Sequence, residues 1–340
     1  MKVNKVNIMK LYLLGLLIIA SACQVIPPKP LDIATKPLVI AHRGAPGYLP
    51  EHTLESVTLA YSQGADFIEQ DLVVTKDSKI IVLHDIHLET VTNVEQVFPS
   101  RKRKDGRYYA LDFTLAELKT LNVHERQDAE DNQVFPNRYQ GNGAFKIATF
   151  EEQIELIQQL NRQLNKTTGF YPEIKSPAWH REQGVDISQL VMAVLRKHEL
   201  DDADKAIYVQ CFDFAETQRL RNNLNAKVKL IQLIAENDWQ ESPTDYDILK
   251  TQEGLEAIAK VAQGVGPWIP QLVDLKTMQP TAFVKQAHIA GLKVHPYTFR
   301  KDALPDNINT QQTLQLLFDG LKVDGLFTDF TDTVVNYLGE

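Results

Sequence analysis

The stretch that decides the fold is residues 38–74, LVIAHRGAPGYLPEHTLESVTLAYSQGADFIEQDLVV. It opens with an apolar run, Leu38–His42, that ends on polar residues. A helical pattern follows at Leu54–Gln63, and then a second apolar run, Phe67–Val74. A strand, a helix and another strand at this spacing make a βαβ unit, which pairs its strands in parallel and lays the helix on one face.

Outward from this unit the same rhythm continues. Strand-like runs fall at Lys79–His84, Gly169–Lys175, Ala206–Phe212, Val228–Ile234, Gly264–Trp268, Lys293–Thr298 and Gly325–Thr328. Helical patterns lie between them at Phe150–Asn165, Ile187–His198, Ala215–Asn223, Gly254–Gln263, Ala282–Ala290, Gln311–Phe318 and Thr331–Leu338. Asp213 and Asp329 stand where helix N-caps belong. Eight helices in this length favour an α/β fold of the closed (β/α)₈ TIM-barrel type over a doubly wound sheet. One stretch, 85–148, holds no clear βα unit. It reads as a small inserted subdomain after an early strand, shaping the rim of a barrel mouth. Its basic run of Arg101, Lys102, Arg103, Lys104 and Arg107 is either a solvated loop or a contact for an anionic substrate or membrane.

The N-terminus is a separate object. Lys2, Lys5 and Lys10 precede a ten-residue apolar stretch, Leu11–Ala20, then small residues and Cys23. The stretch is too short to span a bilayer and reads as a secretory signal over 1–22. The small residues before Cys23 resemble a bacterial lipoprotein signal, which implies a lipidated Cys23 and a Pro-rich tether over 23–36 leading into a domain at 37–340. The expected location is a bacterial membrane surface, periplasmic or on the cell exterior. With Cys23 lipidated, Cys211 has no partner in the chain, so the domain must be held by its core. Loss of the signal removes three lysines and no acids, moving the formal charge from −8 to −11. That charge excludes nucleic acid as a partner and disfavours anionic lipid.

Chemistry-bearing residues gather where the strands should end. Glu69 and Asp71 are two apart in a strand and so share a face. Two like charges on a buried face are costly unless a cation or a basic side chain compensates them, and Glu173 offers a third carboxylate from another strand end. A divalent cation and structural ion pairs are both open at this point; no Cys–His cluster favours zinc. His42 and His84 end two strand runs, and a pair of imidazoles there suits proton removal and delivery. Arg43 and Lys175 stand beside them, able either to grip a phosphate or to neutralise the acids. The other seven histidines, His52 among them, lack this context.

His-Arg-Gly at 42–44, Pro-Glu-His-Thr at 50–53, Glu-x-Asp at 69–71, His-Asp at 84–85 and Glu-Ile-Lys at 173–175 resemble, in order, the motifs of the glycerophosphodiester phosphodiesterase family. Gln210 with Phe212, His-Pro-Tyr-Thr at 295–298 and Leu-Phe-Thr-Asp-Phe at 326–330 continue the match. The wording is closest to the periplasmic, calcium-using members and to their surface lipoprotein form. The resemblance implies a metal site of Glu69, Asp71 and Glu173, holding one divalent cation, Ca²⁺ before Mg²⁺. It implies His42 and His84 as general acid and base, and Arg43 and Lys175 on the phosphate. Glu51, Gln210, Phe212 and Tyr297 are expected to contact the substrate or line its pocket. The substrate implied is a small glycerophosphodiester, cleaved to glycerol 3-phosphate and an alcohol. Two rival readings are a phospholipase of the phosphatidylinositol or sphingomyelin type, for which no apolar rim is visible, and a surface lipoprotein that binds a host protein.

Overall fold

Apolar runs whose residues alternate faces become the staves of a barrel. The computed structural model describes residues 36–274 and 277–339. The strands of its main sheet are β1 (Leu38–Ala41), β2 (Phe67–Val74), β3 (Ile80–Val82), β4 (Gly169–Ile174), β5 (Tyr208–Cys211), β6 (Lys229–Ile234), β7 (Gly264–Pro267), β8 (Lys293–Val294) and β9 (Gly325–Thr328). Eight of these run in the order β8-β7-β6-β5-β4-β2-β1-β9, each neighbour parallel. The two ends meet through backbone bonds from Asp324 to Val294, from Phe327 to Pro296 and from Phe299 to Phe327, at 2.9, 3.0 and 2.8 Å. The sheet thus closes into the (β/α)₈ barrel that the pattern implies.

The run at Lys79–His84 differs from its expectation as a stave. Only Ile80–Val82 is extended, and it pairs antiparallel with β2, Val74 facing Ile80. A turn closed by the Thr75 N–H donating to Lys79 O at 2.9 Å reverses the chain. This run is therefore a hairpin arm, and it still delivers His84 to the same mouth.

Helices α1 (Leu54–Ser62), α2 (Phe150–Leu164), α3 (Ile187–Lys197), α4 (Phe214–Asn222), α5 (Gln252–Ala259), α6 (Phe283–Ile289), α7 (Thr310–Gln315) and α8 (Thr331–Leu338) follow the strands. Thr53, Asp186 and Asp213 cap α1, α3 and α4 with their side chains, and Thr149 with Glu152 forms a capping box on α2. Each such cap is worth about 1 kcal/mol.

Period-two alternation divides the strand residues between two cores. Outward residues such as Val39, Ile68, Leu72, Phe170 and Leu230 pack against Ile154, Val191 and Leu255 of the helices. Inward residues Ile40, Phe67, Tyr171, Ile231 and Phe327 fill the barrel interior. One step further along three of these strands, the inward positions become His42, Glu69 and Glu173. The barrel's own periodicity thus stacks a polar layer on an apolar one.

Residues 85–148 carry only short helical turns, at Val94–Val97, Ala110–Asp112 and Leu115–Leu118. They have a hydrophobic cluster of their own, with Leu88, Val91, Tyr108, Phe113, Leu121 and Val123, joined by Val73, Ile81 and Leu83 of the β2–β3 hairpin. The basic run is largely consumed in holding this stretch together. Arg101 bonds Glu117 at 2.8 Å and stacks over Phe113, Arg103 forks onto Asp112, and Arg107 meets Glu89. Lys102 and Lys104 remain exposed.

The expected signal over 1–22 and the lipidation at Cys23 lie outside the described residues, as does all but the last residue of the 23–36 tether. Among the described residues, no helix is long and apolar enough to cross a membrane. Cys211 is buried and unpaired by any disulfide.

Candidate active site

The turn after β1 sets the first side chains. Arg43 has φ 54° and Gly44 φ 90°. A Cβ at position 44 would lie 2.7 Å from Ser56 Oγ, so only glycine fits this close turn. The sharp reversal aims the Arg43 N–H at Glu69 Oε2, 2.9 Å away, while its guanidinium bends back to Glu51 at 3.1 Å.

Parallel register sets the acids. Asp71 lies beside Glu173 across β2 and β4, and Glu173 beside Gln210 across β4 and β5. Glu69, Asp71 and Glu173 each offer an oxygen within 4.8 Å of the other two, and all three are buried. Burial and the charges of Asp71 and Glu173 push the Glu69 carboxyl well above its ordinary range. Burial raises Glu173 to about 8, against the pull of Lys175, whose Nζ is 2.7 Å away. Burial opposes ionisation of Asp71 too, but a 2.7 Å bond with His52 Nε2 together with the surrounding positive charge, Lys175 included, holds Asp71 well below the usual range. Asp71 Oδ1 is buried with no hydrogen-bond partner. Three crowded oxygen ligands, two of them pushed toward protonation and one with an orphan oxygen, fit a hard divalent cation.

The two imidazoles share one design. His42 Nδ1 is 2.6 Å from Asp329 Oδ1, and His84 Nδ1 is 2.7 Å from Asp85 Oδ1. An ionised carboxylate accepts only, so each Nδ1 carries the proton and each Nε2 keeps its lone pair. Burial and the neighbouring Arg43 lower His42 to about 3; burial, Arg43 and Lys175 lower His84 to about 4. Both rings are therefore neutral at neutral pH.

These groups line one cavity of about 270 Å³, bounded by His42, Arg43, Glu69, Asp71, His84, Glu173, Lys175, Gln210, Phe212 and Tyr297 together with Trp239, Glu241, Trp268 and Arg300. Gln210 Nε2 donates to Glu69 Oε1 at 3.0 Å, and the Tyr297 hydroxyl donates to Ile234 O at 2.8 Å. Among the residues read from the sequence, Glu51 sits behind the cavity wall. It does not line the cavity, because the guanidiniums of Arg43 and Arg126 take both its oxygens. It holds Arg43, one of the cavity residues. Asp329 is a correction: α8 starts after Phe330 without a side-chain cap, and the Asp329 carboxylate serves His42, Arg138 and Arg300. The sequence reading missed His52, Trp239, Glu241, Trp268 and Arg300. For His52 the signal was present in Pro-Glu-His-Thr, one residue after Glu51.

A model of the glycerophosphoryl diester phosphodiesterase family matches residues 42–333. The chain is 42% identical over 325 residues to a glycerophosphodiester phosphodiesterase of Haemophilus influenzae, covering 88% of this chain and 89% of that one. To the glycerophosphodiester phosphodiesterase of Treponema pallidum it is 34% identical over 331 residues, covering 90% and 93%. Among solved structures, an Oleispira antarctica phosphodiesterase in complex with the product sn-glycerol-3-phosphate has the same fold, with a TM-score of 0.60 at 22% identity over 89% of this chain and 97% of that one.

Proposed function

Because the chain belongs to the glycerophosphoryl diester phosphodiesterase family, we propose that it hydrolyses small glycerophosphodiesters, such as glycerophosphocholine and glycerophosphoethanolamine, to glycerol 3-phosphate and the free alcohol. One observation carries this reading: three convergent carboxylates and two carboxylate-backed imidazoles meet in a single cavity.

Glu69, Asp71 and Glu173 would hold the cation, for which calcium is our choice ahead of magnesium. When bound, it supplies positive charge that draws in the phosphodiester and offsets the charge building on its oxygens. The chain's own residues do the rest. Arg43 and Lys175 face the phosphate as fixed cations; the Lys175 ammonium is held between Glu173 at 2.7 Å and Glu241 at 3.6 Å. One imidazole takes the proton of the nucleophile at Nε2, and the other returns a proton to the departing alcohol oxygen. The anionic substrate itself raises the second imidazole toward protonation, since a nearby negative charge favours the cationic ring. The nucleophile is water or the glycerol's neighbouring hydroxyl, and trapping of a cyclic phosphate distinguishes the two.

Release of glycerol 3-phosphate from glycerophosphocholine should stop in EDTA and return with calcium. No release with any divalent ion would overturn the reading. His42→Ala and His84→Ala should each remove nearly all turnover. A substrate with a good leaving group, such as a p-nitrophenyl phosphodiester of glycerol, should restore turnover only in the variant that lacks the general acid.

The proposal extends to location. The Lys2–Cys23 pattern supports export and lipid anchoring at Cys23. Incorporation of labelled palmitate that survives Cys23→Ser would refute the anchor.

A further inference from the structure

We propose that the 85–148 insertion is part of the catalytic apparatus, because it places one positioning arginine behind each histidine: Arg126 behind His84 and Arg138 behind His42. The inference rests on the two-histidine reading above.

The two arrangements repeat each other on unrelated backbone. Asp85 gives one oxygen to His84 Nδ1 at 2.7 Å and the other to Arg126 Nη1 at 2.7 Å. Asp329 gives one oxygen to His42 Nδ1 at 2.6 Å and the other to Arg138 Nη2 at 2.7 Å. Each is an Arg–Asp–His chain that ends with Nε2 at the cavity. Asp329 is buried and Asp85 half-buried, and besides its arginine each second oxygen has only one weaker or more exposed partner, the Thr90 hydroxyl at 3.1 Å on Asp85 and Arg300 on Asp329. A carboxylate left so loosely held would rotate or take a proton, and either change releases the imidazole tautomer. A guanidinium prevents both. It keeps the charge at any working pH, and its planar fork fixes the carboxylate plane.

The arginines are themselves held, chiefly by barrel residues on which the insertion docks. The Arg138 side chain is 3% exposed, its guanidinium lies 3.6 Å over the Phe135 ring, and its remaining donors reach Asp302. Arg126 puts Nε and Nη2 on Glu51, at 3.0 and 2.6 Å, and Glu51 in turn holds Arg43. Arg126 therefore steadies two cavity residues, His84 and Arg43, from one side chain. Arg300 also reaches Asp329 Oδ2, at 2.9 Å, but it lines the cavity and is more exposed than Arg138.

A purely structural role would predict arginines that dock the insertion and leave kcat alone. In the full chain with calcium, Arg138→Ala and Arg126→Ala should instead lower kcat on glycerophosphocholine about 10–100-fold, the usual effect of losing such an outer partner. KM should stay near wild type in Arg138→Ala and rise in Arg126→Ala, where Arg43 is loosened as well. Millimolar guanidinium should restore part of kcat in both. In EDTA, proton NMR should show the His42 Nδ1–H resonance lost or shifted in Arg138→Ala with that of His84 intact, and the reverse in Arg126→Ala. Should an alanine variant aggregate, Arg138→Lys or Arg126→Lys decides, because lysine keeps the charge without the fork. Wild-type kcat and unchanged imidazole resonances, with His42→Ala and His84→Ala inactive, overturn the inference alone. Active histidine variants overturn the hydrolase assignment with it.

Discussion

Replacing Glu173 by Gln should make the metal-free protein more stable and abolish its response to calcium. Without a cation, burial beside Asp71 and Glu241 raises the Glu173 carboxyl from 4.5 to about 8. The folded chain thus keeps a proton that the unfolded chain releases near pH 4.5. Folded protein binds more protons throughout that window, so its stability falls as pH rises from 4.5 to 8. At pH 7 the accumulated penalty is about 3 kcal/mol, from about 1.4 kcal/mol per pH unit. Glutamine has the same shape and no such penalty, although it forfeits the 2.7 Å contact with the Lys175 ammonium. The net gain should therefore be about 1–3 kcal/mol, or roughly 2–6 °C in Tm for a domain of this size. Thermal unfolding in EDTA should show that gain at pH 7 and its disappearance near pH 4.5. Millimolar calcium should then raise the Tm of wild type and leave the variant unmoved. A variant that is less stable than wild type in EDTA at pH 7, or one that calcium stabilises as much as wild type, would refute the argument that these three acids share one cation.

Other outcomes follow from single contacts. His52→Ala removes the 2.7 Å bond that orients Asp71 and favours its ionised form, so calcium affinity by isothermal titration should weaken about 10–100-fold, with turnover recovered at saturating calcium. Asp324 accepts from His288 Nε2, Lys293 Nζ and the Val294 N–H; burial opposes its ionisation, and these bonds bring it from 3.8 down to about 2. Its contribution of roughly 2 kcal/mol is present above pH 3.8 and lost as pH falls toward 2, so Asp324→Asn should be less stable than wild type at pH 7 and equal to it near pH 2. Phe113→Ala hollows the core of residues 85–148 and should cost about 3–5 kcal/mol; limited proteolysis should then cut within that stretch, and kcat should fall with it.

Barrel and acid cluster were legible because both rest on period-two patterns. Glu69 and Asp71 had to share a face once Phe67–Val74 was extended, and the structure puts both in the cavity. Helix limits were read to within about two residues for α2, α3 and α8; caps and apolar spacing agree at α2 and α3, and spacing alone served at α8. Contacts across long separations were not legible. Asp329 before a helix looks like an N-cap, and only the fold reveals a histidine 287 residues away that claims its oxygen. Arg126 and Arg138 sit in a loop with no period, so nothing local marks them from the arginines nearby that only hold the loop together. Lys79–His84 has strand composition, and composition does not distinguish a barrel stave from the return arm of a hairpin.

The reversal at Arg43 has a consequence for how that residue is studied. Two of its donors act separately: the amide on Glu69 and the guanidinium on Glu51. Every side-chain replacement leaves the amide in place, so alanine or lysine scanning measures only the guanidinium's share of what this position contributes. The amide's share is reachable only through the backbone, by swapping the peptide NH for an ester oxygen with an α-hydroxy acid at position 43. A chain carrying that swap keeps all its side chains and loses a single proton donor to the acid cluster.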